Sequence, residues 1–308
     1  MALHTILIFL TILTTLTTPT HALTHFASPT TCLIIGDPDV YGPGIRLSFY
    51  LQWAAILLAT TVAPSGASFA RTTTNILTIS VFANSLRGFS NGGLVAAEWW
   101  IVTFLCFFLN LGNWPSSRQA LRESVASIGV SLCIYAMVMC MECWVWFRGL
   151  DIGHGRENGD CEVKISVFFH PVDVYDHGWR TAFKVLAAVD MVAALVFAVV
   201  GIGILLLSLA VPFFDVEEYM QHWVDGDDRR MVSVVVKCLL SVFQMILGAF
   251  SIAFVELTIK FNDIQLPQGY TSSGQLIPVL IGVLTLASAV FSVWKRIGKM
   301  AIELRTHS

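Results

Sequence analysis

Four acidic residues stand where an apolar chain has least use for charge: Glu98, Glu142, Asp190 and Glu256, each inside or at the edge of a long hydrophobic run. A charge at the centre of a bilayer costs about 2.5–3.5 kcal/mol on insertion scales, so such groups face a bundle interior or a wet cavity. Carboxylates held there can trade protons, attract a cation, or serve as general acid and base to a lipid-soluble substrate. Gathered together, these four would line one shared polar pocket. Two of them also have plainer readings, because Glu256 lies one turn from Lys260 and Glu98 lies close to the loop that contains Arg87. Interfacial or ion-pair roles suit both. Glu142 and Asp190 are deeper, and Lys184, about a turn and a half before Asp190, reaches only partway toward it.

The remaining polar residues offer less chemistry. His154, His170, Asp173, Asp176 and His177 are metal-ligating types, but His170 and His177 are seven apart with Pro171 between them, which matches no tetrahedral-site spacing. No metal or cofactor is expected. Lys237 stands near one end of its run, where its stem can snorkel toward headgroups. The last run has no interior lysine, which argues against a retinal Schiff base there. Pro212 reads as a helix terminator, and Pro278 falls within the first turn of its run, where proline is tolerated.

Composition names the elements that must hold these residues. The chain is 56% hydrophobic and 13% charged, with a net charge of -3. That balance is far from a soluble domain's and gives no basic surplus for a nucleic-acid partner, so a lipid bilayer is the expected solvent. A helix crosses the hydrocarbon core with about 20 mostly apolar residues. Runs of that kind fall at about 46–64, 73–88, 94–112, 122–147, 181–211, 231–257 and 275–295. The second is short and carries Asn75, Asn84, Ser85 and Arg87, so its crossing is the least secure.

The fold class expected is therefore an all-α bundle of about seven transmembrane helices. Residues 1–22 read as a secretory leader, with an apolar stretch from Ile6 to Leu13 and the small residue Ala22; an uncleaved anchor is the alternative. A luminal or extracellular segment follows at 23–45, then the helical domain at 46–297 and a cytoplasmic tail at 298–308. Seven crossings put Lys295, Arg296, Lys299 and Arg305 in the cytoplasm, in the sense that positive-inside bias prefers. All four carboxylates then lie toward the luminal half. Of the seven cysteines, five fall within runs, leaving Cys32 and Cys161 in luminal loops as an expected disulfide.

Two further features bear on topology. Asp39-Val40-Tyr41-x-x-Gly44-x-Arg46 is echoed by Asp173-Val174-Tyr175-x-x-Gly178-x-Arg180, each copy just before a run. A parallel repeat would make those two runs point the same way. The acidic loop from Asp215 to Arg230 reads as a solvated cytoplasmic loop, with a docking site for a partner as the other possibility.

The segment from Gly36 through Arg46, Tyr50-Leu51-Gln52-Trp53, Phe168-Phe169, Asp173-Val174-Tyr175 and Gly274-Gln275-Leu276-Ile277-Pro278 together resemble a large group of multi-pass membrane proteins of filamentous fungi, over about residues 32–297. The resemblance implies a fungal integral membrane protein of the plasma membrane or endomembranes. It transfers no catalytic residue and no ligand. The functional reading is transport or sensing of a small molecule or ion, with oligomerisation needed for a carrier of only seven spans. An intramembrane enzyme, such as a membrane-bound cyclase using two buried acids, is the alternative from another class.

Overall fold

Backbone polar groups in apolar surroundings must be satisfied within their own segment, and helices achieve this. The computed structural model describes residues 34–63, 67–90, 96–111, 125–150, 163–210, 230–266 and 273–306. A short α1 (Pro38–Tyr41) leads into α2 (Pro43–Val62), followed by α3 (Ala67–Ser90). Helix α4 covers residues 96–111, α-helical over Ala96–Thr103 and Leu109–Leu111 with a π-helical turn at Phe104–Phe108. Helix α5 (Val125–Gly149) also ends in a π-helical turn, Val145–Gly149. Then come strands β1 (Lys164–Val167) and β2 (His170–Asp173), and helices α6 (His177–Ala210), α7 (Arg230–Phe261) and α8 (Ser273–Thr306).

The seven long helices alternate in direction. Ala67 and Ala70 of α3 pack with Ala55 and Ala59 of α2, while Asn84 at the other end of α3 donates to the Asp39 carbonyl, so α3 runs antiparallel to α2 along its length. Helix α4 reverses again, with Trp99 against Phe82 and Asn110 bonded to Thr78. Helix α5 is parallel to α3, since Asn75 bonds to Ser127 and Phe89 meets Trp144. Gly129 faces Gly201 and Lys184 lies over Phe147, which makes α6 antiparallel to α5. Glu256 reaches Arg46 while Gly248 lies against Trp53, so α7 opposes α2, and α8 runs parallel to α2 from Gln275 beside Gly44 to Ala289 beside Ala55 and Ala59.

Five of these helices are long and apolar enough to cross a membrane: α1–α2, α5, α6, α7 and α8. The second and third runs depart from the expectation of self-sufficient spans. Helix α3 is long enough at 24 residues but too polar, and α4 is apolar but short. Part of the polarity of α3 is turned inward, although Thr72, Ser80, Asn84 and Arg87 are exposed. Thr72, Thr73, Thr74, Thr78 and Ser85 donate to carbonyls three or four residues back on their own helix. Such back-bonding hides hydroxyls from apolar neighbours. Arg71, Thr74, Asn75 and Thr78 are buried.

Helix α6 has the opposite character. Only 11% of its apolar window is buried, against 72% for α1–α2, so α2 is core and α6 is rim. Its one seam, Phe183, Ala187, Asp190, Ala194, Phe197 and Gly201, follows a 4-3 spacing toward α5. Small residues at Gly129 and Gly201 let the two backbones approach closely, as membrane helix pairs do.

The described residues are mostly helical, as the all-α reading expects, with one short hairpin added. Lys164 to Val167 pairs antiparallel with His170 to Asp173 through a two-residue turn at Phe168 and Phe169. Pro278 is also placed differently from expectation. Helix α8 begins at Ser273, so the proline lies in its second turn, where Ser48 donates to its carbonyl at 2.6 Å. The leader at 1–22, Cys32, Cys161, His154 and the acidic loop at 215–229 lie outside the described residues. The five described cysteines, Cys106, Cys133, Cys140, Cys143 and Cys238, are free thiols.

Candidate functional site

The four carboxylates fall into two sets by their neighbours. Glu98 and Glu256 face the junction of α1 and α2, whereas Glu142 lies in the field of Asp190 across the α5–α6 seam.

At the first pair, chain geometry begins with Asp37, which caps α1 by accepting from the Asp39 N–H at 2.8 Å. This sets Tyr41, fully buried, so that its hydroxyl donates to Glu98 at 2.6 Å; the Asp37 N–H reaches the same oxygen at 3.4 Å. Four residues apart on α2, Arg46 and Tyr50 converge on Glu256: the guanidinium pairs with one oxygen and the Tyr50 hydroxyl donates to the other at 2.8 Å. Gln275 at the start of α8 donates to the Pro38 carbonyl and accepts from the Gly44 N–H at 2.7 Å. Gly42 and Gly44 are glycines because a Cβ at either would run into Gln275. Gln52 donates to Ser48 at 3.0 Å, and its own side-chain oxygen is buried without a partner. Glu256 thus serves Arg46 rather than Lys260, and the cluster ties α1, α2, α4, α7 and α8 at one end.

The second pair has no such partners. Glu142 is buried, accepts from the Trp146 side chain, and lies in the field of the Asp190 carboxylate. Cys143 stands within the field of both acids, and Cys140 lies 3.9 Å from the Met191 sulfur. Lys184, the nearest basic residue in sequence, places its ammonium over the Phe147 ring, 5.8 Å from the centroid. Among the described residues neither acid forms an ion pair. Glu142 lies seven residues before the end of α5, about 10 Å along the axis. The π-helical turn begins at Val145, one turn beyond it, and such turns recur at functional sites.

The loop residues considered as metal ligands do local work. Asp173 accepts from the Tyr175 N–H, and Asp176 caps α6 through the Gly178 and Trp179 N–H groups at 3.0 and 3.1 Å. Reading the sequence missed Tyr41, Arg46, Tyr50 and Gln275 as partners. The signal was present in the 4-residue spacing of Arg46 with Tyr50 and of Ser48 with Gln52, which lines polar groups on neighbouring helix faces. No family model, curated protein or solved structure matches this chain.

Proposed function

We propose that this chain is a seven-span membrane protein that takes up a proton or small cation at Glu142 and Asp190, as part of solute or ion transport or sensing. One observation carries the reading: buried Glu142 lies in the field of a second acid, Asp190, on the facing apolar helix, with no ion-pairing Lys, Arg or His among the described residues. Isolated negative charge is expensive at that depth, and a bound cation or proton relieves it.

Strict alternation of the seven helices supports seven crossings, and the inward-facing polarity of α3 supports its crossing despite its composition. In this topology the α1 end is luminal or extracellular and both pairs lie in the luminal half. The Glu98–Glu256 cluster, already satisfied by Tyr41, Arg46 and Tyr50, holds the helices and does not bind the solute. A secretory-pathway membrane, plasma or endomembrane, a removable leader and a Cys32–Cys161 bond complete the proposal, together with membership of the filamentous-fungal group.

Reconstitution into sealed phosphatidylcholine vesicles tests it. Proton and alkali-cation flux, read with entrapped dyes, exceeds that of empty vesicles. Glu142→Gln and Asp190→Asn each lower it roughly tenfold or more, equivalent to about 1.4 kcal/mol in barrier height. Equal flux for wild type and both variants overturns the assignment.

A further inference from the structure

The hairpin does not sit on top of the bundle; it descends along α7. Lys164 is level with Asn262, Ser166 with Thr258, and Phe169 packs on Phe254 and Phe250 with centroids 5.5 and 5.4 Å away. From Asn262 to Phe254 is eight residues of helix, about 12 Å. Four residues of strand cover about 13 Å, so the two elements run side by side. Phe250 belongs to the exposed apolar stripe Leu239, Val242, Phe243, Ile246 and Phe250 on α7, inside a membrane-length helix. The hairpin tip continues that stripe, with Phe169 half-exposed and Phe168 77% exposed.

Backbone that enters hydrocarbon needs its outer edges satisfied. On β1, the Asn262 side chain accepts from the Lys164 N–H at 2.7 Å and donates to the Lys164 carbonyl, imitating a neighbouring strand, while Thr258 accepts from the Ser166 N–H at 3.1 Å. On β2, Pro171 pairs with Ser166, whose N–H points outward; the proline faces its own outer edge with no N–H to satisfy. The turn itself is strained. Phe168 and Phe169 have φ of 47° and 67°, a region that turns ordinarily fill with Asn or Gly. Two phenylalanines at that place need a compensating gain.

We infer that β1–β2 is a re-entrant hairpin whose Phe168–Phe169 tip is embedded in the acyl chains of the lipid leaflet on the α1 side. His170, exposed one residue past the tip, has an apolar ring body and a polar end that can snorkel outward. The inference requires α7 to cross the membrane and is independent of the cation reading.

Phe168→Asn separates the possibilities by sign. A tip in water gains from a residue that favours positive φ, whereas a tip in acyl chains loses the phenyl contacts. In phosphatidylcholine vesicles the variant melts several degrees lower than wild type; an unchanged or higher melting temperature overturns the inference. A nitroxide on Phe168→Cys, in a background without native cysteines, collides more with oxygen than with a water-soluble nickel chelate, as one on Phe243→Cys does. Nickel access equal to that of a label on His177→Cys overturns the inference, as does exclusion of both quenchers, which would mean a protein cover.

Discussion

Arg46 shows how much one residue pairing organises here. Its guanidinium and the Tyr50 hydroxyl hold both oxygens of Glu256, a residue 210 positions away from Arg46 in the chain. The pair is only partly buried, with the Glu256 side chain 38% exposed, so solvent screens it and losing one partner costs less than the about 3–5 kcal/mol of a fully buried pair. Glu256→Gln is therefore expected to lower the thermal unfolding midpoint by a few degrees in detergent, and replacing Arg46 by Met in the same chain to restore part of the loss. Gly44 makes a steric counterpart. Its substitution to Ala drives a methyl group into Gln275, with a destabilisation of about 1–3 kcal/mol typical of overpacking, measurable by the same melting experiment. Neither partner was legible from the sequence: charge type announced that Glu256 needed a cation, and the neighbouring Lys260 offered itself first. The choice of Arg46 is made by the antiparallel approach of α7 to α2, which no local pattern encodes.

At the scale of elements, length and apolarity located the helices, and their failures are instructive. Helix α3 reads poorly as a span since Thr72, Thr73, Thr74 and Asn75 are consecutive polar residues, yet the hydroxyls bond to their own helix and Asn75 bonds to Ser127 and Ser131 on α5. A hydropathy window sees the polar atoms but not their partners. The hairpin was missed for another reason. Lys164 to Val167 alternates polar and apolar over only four residues, and Phe168-Phe169 lacks the Asn-Gly chemistry that marks a two-residue turn. Its outer edge depends on Thr258 of α7 and on Asn262 just past the end of that helix. Asn262→Ala leaves the Lys164 N–H and C=O without that partner, at about 1–3 kcal/mol for buried groups left unsatisfied. Hydrogen exchange at the Lys164 amide is expected to accelerate, while amides in the middle of α5 keep wild-type rates; unchanged exchange at Lys164 would show that the Asn262 contact is dispensable.

For the whole molecule, the carboxylates expected to line one pocket differ in their partners. Glu98 and Glu256 are engaged in tying helix ends together, and Glu142 and Asp190 have no basic partner among the described residues. The division follows from position in the bundle: Glu98 bonds to Tyr41 of α1 and Glu256 to Arg46 and Tyr50 of the central helix α2, whereas Asp190 belongs to α6, which touches chiefly α5 and otherwise presents Val185, Val189, Val192, Leu195 and Val199 outward. An acid on a rim helix can open toward a membrane-side path more readily than one locked in the core. Sequence alone ranked Glu142 and Asp190 as the deeper acids, and Glu142 is buried while Asp190 is half-buried. What it lacked was the inter-helix geometry that assigns each acid its neighbours.

The assignment of sides rests on seven crossings, and a membrane-impermeant thiol reagent tests that most directly. Single cysteines at Gly66, Gly155, Gly226 and Ser308, in a chain without its native cysteines, are labelled in intact cells and in inverted vesicles. Seven crossings predict labelling of Gly155→Cys from the luminal or external side alone, and of the other three from the cytoplasmic side alone. If Gly155→Cys instead labels with Gly66→Cys from the cytoplasm while Gly226→Cys and Ser308→Cys label from the opposite side, α3 does not cross. The carboxylate pair would then belong to the cytoplasmic half.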